Sequence, residues 1–214
     1  MNEARKMKRR RVPYLPAVVA LLAAAFLVWP RGPKEPVYQG KAITQWINEA
    51  HDVGIFEQTE ETKTAMQAFG TNAVPFLLQE FTRPVSRRRD LLFAWVNSRS
   101  FFKIHLRTDE ERVVVAGRGL MLLETNAAPA MPALSRYLGD PIRADFLLVI
   151  FVSQGDAALP YLTAGLASTN AMAITNAAKT LQLMAYLSHA SPTGRAAAEA
   201  LREWQLLNAS ALNE

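Results

Sequence analysis

Apolar positions in this chain recur mostly at helical spacing, with very little strand-like alternation. Ile43, Trp46 and Ile47 predict a short helix ending near His51. Ala65, Ala68 and Phe69 mark the inner stripe of a second, over Glu57 to Phe69. Val74, Leu77, Leu78 and Phe81 follow the i, i+3, i+4, i+7 rule of a third. Further helices are expected around Asp90 to Lys103, from Asp109 to about Glu124, and across Met131, Leu134, Tyr137 and Leu138. Phe146 to Val152 carries no polar side-chain atom, so periodicity alone also allows a buried strand. Its place in the pattern favours helix. A helix with Leu159, Leu162 and Leu166 inward and a final pair, Asn170 to Leu187 and Thr193 to Leu207, complete the series.

The helices are punctuated by a repeated turn. Gly70-Thr71-Asn72-Ala73-Val74-Pro75-Phe76-Leu77 matches Gly155-Asp156-Ala157-Ala158-Leu159-Pro160-Tyr161-Leu162 as Gly-x-x-Ala-aliphatic-Pro-aromatic-Leu. A looser copy runs from Thr125 to Leu134 and carries Pro132. Glycine suits a helix stop, and proline costs little in the first turn of the next helix. Thr71 or Asn72 and Asp156 are expected to cap the helices that follow. Thr-Asn-Ala occurs four times, from 71, 125, 169 and 175, and capping accounts for it. A repeated turn-plus-helix unit predicts a stacked solenoid, because one unit cannot bury its apolar face alone.

These units resemble HEAT repeats, helical hairpins with a proline opening the second helix and an Asp-Pro-x-x-Arg turn before the first. Asp140-Pro141-Ile142-Arg143 matches that turn, and Gly70, Pro75, Pro132, Gly155 and Pro160 match the hairpin. Tyr38 to Ile47 is similar to the lead-in of membrane-anchored bacterial HEAT-repeat proteins. The resemblance covers roughly residues 38–207. It implies an all-α superhelix of hairpins, and no catalytic residues. The prolines are unevenly spaced, 57 residues from Pro75 to Pro132 and 28 from there to Pro160. Residues 84–108 are thus either a diverged unit or an insertion.

A different pattern precedes the repeats. Arg5, Lys6, Lys8, Arg9, Arg10 and Arg11 lead into nineteen uncharged residues, Val12 to Pro30. As a helix these span roughly 28 Å, near the thickness of a bilayer core. Tyr14 and Trp29 fall at the boundaries, where amphipathic aromatics are favoured. The segment reads as an uncleaved signal anchor; the alternative is a signal peptide cut after Ala23-Ala24-Ala25. Both leave the N-terminus cytoplasmic and the repeats on the outer, periplasmic side. The organisation expected is a basic n-region (1–11), a transmembrane anchor (12–30), a Pro/Gly linker (31–40) and a helical repeat domain (41–210).

Charge then narrows the partners. Of 24 basic and 19 acidic residues, six and one lie in 1–30, leaving eighteen of each sign in 31–214. The basic pI belongs to the tail, so the domain has no net field to draw in nucleic acid. Cysteine is absent, which excludes disulfides, a thiolate nucleophile and thiolate metal sites.

Candidate chemistry is sparse. His51, His105 and His189 lack ligand-spaced neighbours, so no metal is expected. Glu60-Glu61 and Asp109-Glu110-Glu111 read as solvated first-turn carboxylates. No phosphate loop or nucleophile motif occurs, and no cofactor or catalytic residue is expected. An enzyme would need acids and bases converging from distant repeats. Arg83, Arg87, Arg88, Arg89, Arg99, Lys103 and Arg107 form the one concentrated patch, interleaved with Phe93, Trp95, Phe101, Phe102 and His105. Arginine with aromatics grips phosphates, sulfates or headgroups. The plainer reading puts the aromatics in the core and balances the arginines with acids. Asn208-Ala209-Ser210 fits a glycosylation sequon but closes a helix. The leading expectation is a non-enzymatic, membrane-anchored scaffold that binds an unidentified protein through the second helices of its hairpins. The alternative is an anion- or lipid-binding module using 83–107.

Overall fold

A computed structural model describes residues 33–53, 59–98 and 106–211. The expected n-region and anchor (1–11 and 12–30) lie outside them, as do Arg99, Lys103, Phe101, Phe102, His105 and the side chains of Asn208-Ala209-Ser210.

The chain enters through a small hairpin that begins within the expected Pro/Gly linker (31–40). β1 (Val37–Tyr38) pairs antiparallel with β2 (Lys41–Ala42), joining Tyr38 to Lys41 and Val37 to Ala42. Gln39 and Gly40, at φ 49° and 76°, give the left-handed pair that a two-residue turn demands. Tyr38 stacks near Trp46 and Phe69, with ring centroids 6.3 and 6.0 Å away. The Trp46 indole donates to the Tyr38 carbonyl at 3.3 Å. The end of the 31–40 segment is therefore part of the domain.

From there the described residues are mostly helical: an all-α domain apart from the two short strands. α1 (Ile43–Val53) buries Ile43, Trp46 and Ile47 as its spacing requires. α2 (Glu60–Phe69) begins at a Thr59 cap, three residues later than expected. α3 (Val74–Phe81) carries Pro75 in its first turn. α4 (Arg87–Asn97) starts three residues earlier than expected from sequence, and residues 99–103 of that expectation lie outside the described ones. Thr108 and Glu111 close a capping box on α5 (Asp109–Leu122). α6 (Met131–Leu134) tightens into a 3-10 turn over Ser135–Tyr137. α7 (Ala144–Gln154) resolves the ambiguous apolar run as helix, and α8 (Leu159–Leu166) follows. α9 (Ala171–Leu187) and α10 (Pro192–Ala211) close the domain.

Packing follows chain order. α5 lies against α1, α3 and α7, and α9 against α7, α8 and α10. The buried residues form one continuous core from Ile43 to Ala197. Two glycines in α5 allow close approach on different sides. A Cβ on Gly117 would sit 2.7 Å from the Phe146 ring, and one on Gly119 would sit 2.7 Å from Ile47 and 2.8 Å from Leu77.

The repeated turn has a conformation the capping expectation missed. Gly70 and Gly155 adopt φ 50° and 56°, and each opens a 3-10 turn, Gly70–Ala73 or Gly155–Ala158, that runs into the proline-bearing helix. That turn satisfies the leading N–H groups through backbone bonds, and neither Thr71, Asn72 nor Asp156 makes a side-chain cap there. Of the four Thr-Asn-Ala copies, only the one holding Asn170 caps a helix, accepting from the N–H groups of Met172 and Ala173 at 2.9 and 3.2 Å. In the looser copy of the turn, from Thr125 to Leu134, Glu124 just before it takes the left-handed position, at φ 49°.

Candidate interaction surfaces

The proline-bearing helix α8 forms one wall of a concavity among the described residues. A cavity of about 620 Å³ opens between the 135–141 segment and α8, reaching the start of α9. Arg136, Tyr137, Tyr161 and Asn170 supply its larger polar groups. Gly165 lets the walls close up, since a Cβ there would lie 2.9 Å from Leu138 and 3.0 Å from Ala177. The mixture of phenol rings, a guanidinium and small residues suits recognition of a protein segment. Sequence reading selected these helices as a binding face. It did not single out Tyr137, Tyr161 or Arg136, although Tyr161 directly follows Pro160 in the repeat.

Residues picked out at the repeat turns serve the fold. Pro75, Pro132 and Pro160 each sit in the first turn of their helix. Asp140 accepts from the N–H groups of Ile142 and Arg143 at 2.9 and 3.3 Å, capping the turn that Pro141 occupies. Its other oxygen pairs with Arg143 Nη1. Arg143 is buried, and donates to the carbonyls of Phe81 and Arg83 at 2.7 Å each. Its guanidinium lies 4.9 Å from the Tyr137 ring centroid and 5.7 Å from that of Phe81. Comparable bonds join other neighbours. Gln154 donates to the Glu124 carbonyl at 2.5 Å and Asn176 to the Leu138 carbonyl at 2.7 Å. Each supplies a donor to a carbonyl at or just beyond a helix C-terminus, where backbone acceptors lack partners.

The arginine patch divides. Arg83 pairs with Glu80 at 2.9 Å, and Glu80 also holds Arg112 at 3.2 Å. Arg89 donates twice to buried Asp109, at 2.8 and 2.5 Å. Arg107 borders a cavity of about 130 Å³ that Glu35, Glu80 and Arg112 also line. Arg87 and Arg88 are exposed, and no ion pair among the described residues involves them. Of the patch's aromatics, Phe93 and Trp95 are described, and neither is buried in the core that the plainer reading assigned them. α4 buries none of its residues, and Leu91, Leu92 and Trp95 are 63, 56 and 56 % exposed.

Other candidate groups have local partners. Glu60 pairs with Lys63 at 2.9 Å, and that hydrogen bond raises the lysine pKa. Burial lowers the Arg118 pKa, and its Nε has no hydrogen-bond partner among the described residues. His189 is exposed, with Nδ1 3.2 Å from the Tyr186 carbonyl. Among the described residues no three His, Asp or Glu side chains come together as a metal site would require. One described stretch, Ala144–Leu166, has the length and apolarity of a membrane span, 23 residues that include an 18-residue window of mean hydropathy 1.4. Gly155 divides it into α7 and α8, whose Leu147, Ile150, Phe151 and Leu162 belong to the core. No known family model, curated protein or solved structure matches this chain.

Proposed function

We propose that this protein is a non-enzymatic scaffold, built from HEAT-like repeats and tethered by residues 12–30, that holds a protein partner on the outer face of a membrane. The observation that carries the reading is the 620 Å³ concavity between the segment after α6, the proline-bearing helix α8 and the start of α9. Superhelices of hairpins present their inner helices as extended binding surfaces. The neighbour-to-neighbour packing of α5, α7 and α9 and the shared turn at Gly70, Glu124 and Gly155 support the repeat reading. The basic cluster before nineteen uncharged residues supports the tether and its orientation.

Because the chain has no cysteine, a single introduced thiol reports on one place. In the full-length chain, a photocrosslinker on Ala164→Cys, in the concavity, is expected to give a discrete adduct in the host. One on Lys179→Cys, at an exposed position of α9, is expected to give none. Equal adducts from both positions, or none from either, would end the scaffold reading. External protease should digest the domain while sparing the N-terminus.

A second reading, anion or lipid-headgroup binding by segment 83–107, has support from one observation. Arg87 and Arg88 carry charge that no acid in the described fold neutralises.

A further inference from the structure

α4 has two unlike faces. Leu91, Leu92 and Trp95 share one side, since 91 to 95 and 92 to 95 are helical neighbours. Arg87 and Arg88 stand one turn earlier on that side, four residues before Leu91 and Leu92. The other side fastens the helix to the domain through polar contacts. Arg89 grips Asp109, and Asp90 accepts the Asp109 N–H at 2.7 Å. Asn97 at the far end exchanges two hydrogen bonds with the Leu106 backbone, both at 2.8 Å. The helix's one acid is thus turned to the domain, and the outward side keeps two cations beside three large apolar residues.

Most of that outward side lies in solvent: Leu91, Leu92 and Trp95 are more than half exposed, and Arg87 and Arg88 are exposed. Arginines in a first turn face the positive end of the helix dipole. Exposed leucine and tryptophan leave apolar surface in water. Adjacent cations, leucines and a tryptophan on one exposed helix face are what an interfacial helix requires. The apolar groups enter the headgroup–acyl boundary while the guanidinium groups meet lipid phosphates.

We infer that α4 docks onto an anionic phospholipid bilayer, with Leu91, Leu92 and Trp95 inserted and Arg87 and Arg88 on the headgroups. The inference deepens the lipid-headgroup reading and rests on the tether to bring the domain to a bilayer. Docking would fix the domain's orientation on the membrane, which a tether alone leaves free.

The test uses the full-length chain carrying Leu92→Cys labelled with an environment-sensitive fluorophore. It is reconstituted with vesicles of phosphatidylcholine alone, or with phosphatidylglycerol added. Flotation reports the tether, and emission reports the helix. The expected result is flotation with both vesicles, with a blue shift and protection from aqueous quencher only where phosphatidylglycerol is present. The same label on Lys179→Cys should stay unshifted. Arg87→Ala/Arg88→Ala should lower the docked-to-undocked ratio roughly 25-fold, about fivefold per arginine. Neither arginine holds the fold by an ion pair among the described residues, so this variant should fold normally. Flotation without a shift overturns the inference and leaves the tether standing. Failure to float with either vesicle overturns both. A shift of equal size with phosphatidylcholine alone shows that anionic headgroups do not dock the helix and overturns the inference.

Discussion

The Arg143 guanidinium donates through Nε to the carbonyl of Phe81, 62 residues earlier, at 2.7 Å. Phe81 ends α3, so the bond supplies a donor to one of that helix's unpaired carbonyls and sets a positive charge at its negative end. Nη2 takes the Arg83 carbonyl, and Nη1 takes Asp140. One buried side chain therefore ties a turn to the end of an earlier helix. Arg143→Ala would leave these acceptors, and a carboxylate, without their cation. A loss of about 3–5 kcal/mol is expected in urea unfolding. Arg143→Lys should recover only part of it, because one ammonium cannot span three acceptors set in a plane. Equal stability of the alanine variant and the parent would show that water replaces the guanidinium without cost.

Glu124 holds φ 49° at the position where the other two turns place Gly70 and Gly155. A side chain in that region costs about 1–2 kcal/mol. Glu124→Gly is therefore expected to stabilise the domain by about 0.5–1 kcal/mol, part of the relief being lost to unfolded-state entropy. The Gln154 bond goes to the Glu124 carbonyl and survives the change. Gly70→Ala and Gly155→Ala should move the opposite way. No atom crowds a Cβ at Gly70 within 4 Å, and at Gly155 the nearest is 3.8 Å off, so their cost is conformational alone. Urea midpoints of the three variants check the ordering.

Gly194→Ala tests a steric limit instead. A Cβ there would overlap the Ser188 carbonyl oxygen, which belongs to the turn between α9 and α10. Backbone cannot swing away as a leucine tip can. A loss of about 1–3 kcal/mol is expected from overpacking, although alanine outranks glycine in helix propensity. Thermal unfolding measures it, and an unchanged or higher midpoint would mean that the turn rearranges freely.

How far the sequence reached depends on the range of each interaction. Ile43, Trp46 and Ile47, or Val74, Leu77 and Phe81, announce their helices because burial repeats within a few residues. The prolines mark first turns because the restriction is local. The bond from Arg143 to Phe81 carries no local signature, and neither does that from Asn176 to Leu138. The capping expectation at Thr71, Asn72 and Asp156 failed for a local reason of another kind. A left-handed glycine begins a 3-10 turn whose backbone makes the bonds that a side chain would have made. In the arginine patch the residue types were visible, but their division was not. Arg83 and Arg89 meet Glu80 and Asp109 only after folding, and Trp95, an aromatic that the plainer reading put in the core, is 56 % exposed.

The pair between Arg89 and Asp109 governs how firmly α4 is held. Asp109 is buried at the start of α5, accepts two Arg89 donors and also takes the Ser86 N–H at 3.2 Å. Asp109→Asn keeps the shape and an acceptor for Ser86, but removes the charge that holds Arg89. Hydrogen bonds to charged groups contribute about 1.5–3 kcal/mol, so local opening of α4 should become at least about tenfold more frequent. Asp90 and Asn97 still bond α5 and the segment before it, which keeps the helix from detaching altogether. In hydrogen-exchange mass spectrometry, peptides covering Arg87–Asn97 are expected to exchange faster. Those covering α7 and α8 should stay at the parent rate, since their core residues do not touch the pair. Acceleration across the whole domain would mean that Asp109 supports the core itself, and α4 would then be no separable element.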